Sequence, residues 1–223
     1  MELLELLQIA APIMLRGAGY TLVFAVAAMF FGLLLAMLLA VARISALPLL
    51  RQAAAVYVSL MRGTPLLVQV FIIYYGLPSI GIVFSPFAAG ILALSLNAGA
   101  YLSETMRGAI LGIGRGQWAA SHSLGMTNLQ TLQHIIFPQA VRIAVPGLSN
   151  TLISLIKDTS LVSVITVTEL MLATKEVIAI TFRPLPLYVA AALVYWLLSV
   201  CFELLQHRLE RRLNRAMDPQ RGN

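Results

Sequence analysis

The chain has 223 residues, of which 60 % are hydrophobic and 11 % charged. A soluble domain is about a quarter charged, so this composition excludes one and predicts an all-α integral membrane protein. The net charge of +6 does not indicate nucleic acid, because most Lys and Arg stand at the ends of apolar runs, where the positive-inside rule expects them.

Residues 1–14 set Leu against Glu2 and Glu5 at helical spacing, which predicts a helix lying on the membrane surface. The acidic start and the length of the next apolar run are unlike a signal peptide. The first span is expected at 17–42, closed by Arg43. A short basic loop with Arg43 and Arg51 leads to a second span at 53–75. There Pro65 removes a helical hydrogen bond and drives Thr64 out of the helical region, which predicts a kink. The loop 77–86 carries no charge and is placed outside. A third span follows at 87–109, then a polar interval, then a fourth span at 142–167 that Pro146 interrupts. The segment 169–186 reads as exterior, and the fifth span, 187–205, ends in HRLERRLNR. Five transmembrane helices put the termini on opposite faces, with the Arg-rich C-terminus inside and the N-terminus outside. Both loops with excess positive charge, 43–51 and 107–142, then also fall inside. No internal repeat or linker is visible, so residues 1–223 are read as one transmembrane domain.

The polar interval between the third and fourth spans, RGQWAASHSLGMTNLQTLQHIIFP, occupies residues 115–138. A first short helix near 117–124 is expected to stop at Gly125, the residue suited to the left-handed conformation after a helix end. Thr127, with Gln130 three residues on, has capping-box spacing for a second helix, which Pro138 is expected to end. Such a rigid hairpin at a membrane face suits docking to another protein.

The spacing from Ala119 through Gly125 to Ile135 and Phe137-Pro138 resembles the cytoplasmic loop of ABC-importer permeases, whose motif reads Glu-Ala-Ala, three residues, Gly, nine residues, then Ile-x-Leu-Pro. The stretch 138–165, with Lys157-Asp158-Thr159-Ser160, resembles the polar amino-acid branch of that family (histidine, glutamine, arginine and cystine permeases). Further matches are Arg62-Gly63-Thr64-Pro65 and Leu96-Asn97 through Tyr101 to Glu104 and Arg107. The resemblance covers nearly the whole chain. One departure is that Ala119 stands where the motif has Glu, and Ser121 where it has its second Ala. Any ion pair that this acid would make to an ATPase is therefore missing here.

Strongly polar residues inside apolar spans cost about 2.5–3.5 kcal/mol for a central Lys, Arg or Asp, so they tend to face an interior or a wet cavity. Asn97, Tyr101, Glu104 and Gly108 fall at helical steps and form one stripe; Asn150, Ser154, Lys157 and Asp158 form a second. The reading is that the stripes face each other across a substrate path, with Lys157 for a carboxylate and Asp158 or Glu104 for an ammonium. The bland alternative is that Lys157, Asp158, Glu104 and Arg62 pair with each other to pin helices, with Glu104–Arg107 as a local ion pair. Trp118, Ala119, Ala120, Ser121 and Gly125 are the expected ATPase-docking residues of the coupling loop, about 113–138.

Cys201 is alone, so no disulfide framework exists. His122, His134 and His207 have no Cys or carboxylate at ligand spacing, so no metal site is expected. Neither lysine, Lys157 or Lys175, follows Gly in a phosphate-cradling loop, so the chain is not expected to be an enzyme or to bind a cofactor. ATP and Mg would belong to a partner ATPase. The resemblance implies a type I ABC importer permease in the bacterial inner membrane. Its implied partners are the cytoplasmic ATPase, a second permease subunit (identical or a paralogue), an extracytoplasmic amino-acid-binding protein and membrane lipid. Cystine or a related polar amino acid is the favoured substrate. The rival reading is a secondary transporter or channel using the buried charges as an ion relay, which five spans without an inverted repeat disfavour.

Overall fold

The computed structural model describes residues 3–215, and every regular element among them is helical. α1 (Leu3–Ile44) precedes α2 (Pro48–Gly63) and α3 (Leu66–Phe71), which runs through a π turn (Ile72–Gly76) into a 3-10 turn (Leu77–Ile80). α4 (Pro86–Leu111) leads to the short α5 (Arg115–Ser123) and α6 (Asn128–Thr131). A π turn (Leu132–Ile136) joins α6 to α7 (Phe137–Asp158), and a 3-10 turn (Thr159–Ile165) extends α7. α8 (Leu170–Thr181) and α9 (Pro184–Arg215) follow.

Among the described residues, four stretches are long and apolar enough to cross a bilayer: Glu5–Arg43, Pro86–Leu111, Asn128–Ile165 and Pro184–Arg208. α2 with Leu66–Ile80 makes a fifth only as a pair bent by 107°. The helices pack through one principal core, with Phe24, Leu94, Leu102, Ile156, Val162 and Ile165 at its centre. α1 and α4 run parallel. Phe24 meets Phe87 at the start of α4, with ring centroids 4.7 Å apart. Further along, a Cβ on Gly32 would lie 3.2 Å from Ala98, and Arg43 reaches Glu104 near the end of α4. Two parallel neighbours need a return crossing between them, and residues 66–80 supply it. α9 starts beside the N-terminal part of α1, where Leu187 and Ala191 cluster with Leu6, Ala10 and Met14. The early part of α1 thus lies on the face opposite the α5–α6 hairpin, and the end of α9 lies on the hairpin face.

Several expectations are corrected. The predicted surface helix at residues 1–14 is the beginning of α1, with Met1 and Glu2 outside the described residues. Leu6, Ala10, Met14 and Ala18 repeat every fourth residue and bury against α8 and α9, which continues the helix in place of a surface segment. At 42 residues α1 is about 60 Å long, twice the hydrocarbon core, so part of it stands outside the membrane. The second span is broken and not merely kinked, because Pro65 starts a new helix at a steep angle to α2. Pro146 lies within α7 without interrupting it. Ala144, Leu148 and Leu155, on either side of it, pack into the core and hold the helix through the missing hydrogen bond. Nor does Pro138 end the hairpin's second helix. It falls in the first turn of α7, just after the π turn has handed the Phe137 N–H to the Leu132 carbonyl. A proline at a helix start lacks only a donor that the helix does not use. The segment 169–186, read as exterior, is mostly the helix α8 at the end opposite the hairpin, and its first residue, Glu169, is fully buried within the fold.

Candidate functional site

The α2–α3 break builds one wall of a cavity. Thr64 is extended (φ −116°, ψ 148°), the conformation that a following proline imposes. The break frees carbonyls that a continuous helix would have bonded, and nearby side chains take them up. Thr64 Oγ1 donates to the Leu60 carbonyl at 2.9 Å. Gln69 Nε2 reaches the carbonyls of Met61 (2.9 Å) and Thr64 (3.2 Å). Asn97 Nδ2, from α4, donates to the Met61 carbonyl at 3.2 Å and to Gln69 Oε1 at 3.0 Å. Tyr57 ties the same helices together by donating to the Leu96 carbonyl at 2.8 Å.

Beside this brace lies a cavity of about 550 Å³, within the range of small-molecule sites. Its walls are Thr64 and Pro65 at the break, Asn97 and Tyr101 on α4, and Asn150, Ser154, Lys157 and Asp158 on α7. Six of the seven residues proposed for the substrate path therefore share one cavity. Asn97 spends its amide hydrogens on the break. The side chains of Lys157 and Asp158, neighbours at the end of α7, make no salt bridge or hydrogen bond to other described residues. A cation and an anion on successive residues, attracted to each other and to no other described charge, are complementary to the carboxylate and ammonium of an amino acid.

Glu104 is elsewhere. One turn further along α4, it is gripped by three arginines: Arg107 on its own helix (Nη2–Oε2 2.9 Å), Arg43 at the end of α1, and Arg62 at the end of α2 (3.7 Å). Of the mutual pairing expected as the bland alternative, the Glu104–Arg107 and Glu104–Arg62 pairs are present, whereas Lys157 and Asp158 join neither. Arg43 was not among the candidates, because it reads as an ordinary span-end charge.

The hairpin has the anticipated caps. Gly125 is left-handed (φ 77°), and its N–H donates to the His122 carbonyl at 2.9 Å. Thr127 and Gln130 form the reciprocal capping box. Ala119, Ala120 and Gly125 are exposed. Ser121 is buried, donating to the Gln117 carbonyl at 2.8 Å, and Trp118 packs on Ile113, Ile136 and Ala140. Trp118 thus braces the hairpin against the cluster that α4 and α7 share, through Ala109, Ala140 and Ala144, while the Ser121 bond stays within α5. At the far end of the molecule, Glu169 accepts from the Tyr195 hydroxyl (2.5 Å), the Leu172 N–H (2.9 Å) and Thr21 (3.4 Å), joining α8, α9 and α1. Burial pushes its carboxyl above the usual range, against the hydrogen bonds that lower it.

Residues 29–215 match the family described as "Binding-protein-dependent transport system inner membrane component". The chain belongs to that family. Among curated relatives, the permease is 46 % identical over 205 residues to the L-cystine transport system permease protein TcyB of Bacillus subtilis (strain 168), covering 92 % of this chain and 88 % of the relative. It is 37 % identical over 206 residues to the glutamine transport system permease protein GlnP of Escherichia coli (strain K12), covering 92 % and 94 %. A solved structure described as an amino acid ABC transporter with histidines superposes with a TM-score of 0.91 at 32 % identity, covering 95 % of this chain and 99 % of that one. An inward-facing MetNI methionine ABC transporter shares the fold, with a TM-score of 0.73, 20 % identity, and 90 % and 95 % coverage. The permease is thus an inner-membrane component of an amino-acid ABC importer, with the all-α fold of that class, and not an enzyme in its own right.

Proposed function

We propose that this permease is the membrane subunit of an ATP-driven, binding-protein-dependent importer of a polar amino acid, with cystine or a close relative as substrate. The carrying observation is the cavity between α4, α7 and the α2–α3 break, into which Lys157 and Asp158 bring charges not used to hold the fold. The substrate carboxylate lies against Lys157 and its ammonium against Asp158; Asn97, Tyr101, Asn150 and Ser154 shape the remainder. The degree of likeness to TcyB supports cystine over glutamine. The whole chain acts as one transmembrane domain, with the hairpin face and C-terminus in the cytoplasm and the N-terminus outside. A separate ATPase, carrying ATP and Mg, grips the hairpin through Ala119, Ala120 and Gly125. A second permease subunit completes the path. Substrate arrives from an extracytoplasmic binding protein, for which the outer cleft of about 820 Å³ around Arg16, Thr168 and Glu176 is the docking surface. Buried Glu169 takes no part in that contact. Closure of the ATPases moves the hairpins and biases the spans between two states of access.

The test is uptake by proteoliposomes of the purified complex, with ATP inside, binding protein outside, and a panel of labelled amino acids. ATP-dependent uptake of cystine or another polar amino acid is expected. Uptake that ignores ATP and follows a proton gradient would support the ion-relay rival.

A further inference from the structure

The three arginines on Glu104 are not equivalent. Glu104 and Arg107 are on one helix and move together, joined at 2.9 Å. Arg43 is half-buried, with 19 % of its side chain exposed. Arg62 is the loose member: its contact is the longest at 3.7 Å, and its side chain is 44 % exposed. Such a pair contributes little stability, and Glu104 keeps two guanidiniums if Arg62 leaves.

Arg62 also has a second seat. Its guanidinium carbon lies 5.3 Å from the centroid of the Tyr101 ring, a cation–π contact, and Tyr101 is a wall of the cavity. Arg62 is in the last turn of α2, two residues before Thr64, another wall residue. Along α4 the order is Asn97 and Tyr101 at the cavity, then Glu104 and Arg107, then the helix end at Leu111, with only residues 112–114 before α5. The arginine cluster therefore stands between the cavity and the hairpin.

We propose that Arg62 is the gating residue on the hairpin side of the cavity, closing it by bridging Glu104 and Tyr101 and opening it by leaving Glu104. This rests on the reading of the cavity as the substrate path. A displacement of the hairpin is passed directly to the end of α4. It carries Glu104 and Arg107 together away from α2, and the weak Arg62 contact parts first. The tighter Arg43 contact keeps the ends of α1 and α4 together during that movement.

The experiment uses the whole complex without nucleotide, in inside-out vesicles, with Cys201→Ser and Thr151→Cys; Thr151 lines the cavity. Membrane-impermeant thiosulfonates, one cationic and one anionic, are added from the hairpin side. Arg62→Gln is expected to raise the labelling rate about tenfold for both reagents, whereas Arg62→Lys stays within about twofold of the parent. A merely electrostatic effect would raise one rate and lower the other, and that result overturns the gate. Unchanged rates overturn it too, as does an equal rise in Arg43→Gln, which would make the cluster a brace. If Arg62→Gln does not assemble, Tyr101→Leu removes the second seat and is expected to accelerate labelling severalfold; no acceleration there contradicts the proposal. Labelling reads access alone, so it decides the gate whether or not the complex pumps.

Discussion

Gln69 replaces hydrogen bonds that a continuous helix would have made. It supplies the Met61 and Thr64 carbonyls at the α2–α3 break and accepts from Asn97. Gln69→Ala strips a donor from the part-buried Met61 and Thr64 contacts and an acceptor from Asn97, at about 1–3 kcal/mol, and is expected to lower the thermal midpoint in detergent; an unchanged midpoint would mean that water serves these groups equally well. Glu169 has a similar standing at the opposite face. Glu169→Ala removes the α8 cap and orphans Tyr195, a loss of about 2–4 kcal/mol. Glu169→Gln keeps an acceptor and is expected to cost clearly less by the same thermal measurement. Neither residue was legible as a site in the sequence. Gln69 is one polar residue in the run LLVQVFIIYY, its only signal being its place four residues after Pro65. Glu169 lies in the segment read as exterior, and its burial is not visible there because its partners, Thr21 and Tyr195, are 148 and 26 residues away.

At the scale of elements, local chemistry was the most readable. The Gly125 stop and the Thr127–Gln130 box depend on neighbours within three residues, so the hairpin was written in the sequence with its caps. Proline was the least readable. Pro65 breaks the chain by 107°, while Pro146 sits inside a continuous helix, because core packing around each residue, and not the ring alone, decides the outcome. Gly125→Ala places a side chain in the left-handed region, at about 1 kcal/mol. Because the hairpin is the proposed ATPase contact, ATPase affinity is expected to fall about fivefold, read by titrating the ATPase against permease in nanodiscs. Full affinity in Gly125→Ala would show that the turn is not part of the contact.

For the whole molecule, the count of crossings followed from composition and charge, and the parallel run of α1, α4 and α9 accords with an odd number of crossings. What the sequence could not separate was which buried charges serve the cavity. The two polar stripes were visible at helical spacing, but only the distances set Glu104 among three arginines and left Lys157 and Asp158 free of them. The most direct measurement is the KM for ATP-driven uptake of labelled cystine in proteoliposomes, with Lys157→Gln and Asp158→Asn compared with the parent complex. Loss of one charge-assisted contact, about 1.5–3 kcal/mol, predicts a KM raised roughly 10- to 150-fold in each variant, with the ATPase still assembled. An unaltered KM in both would contradict the placement of the amino acid between these two residues.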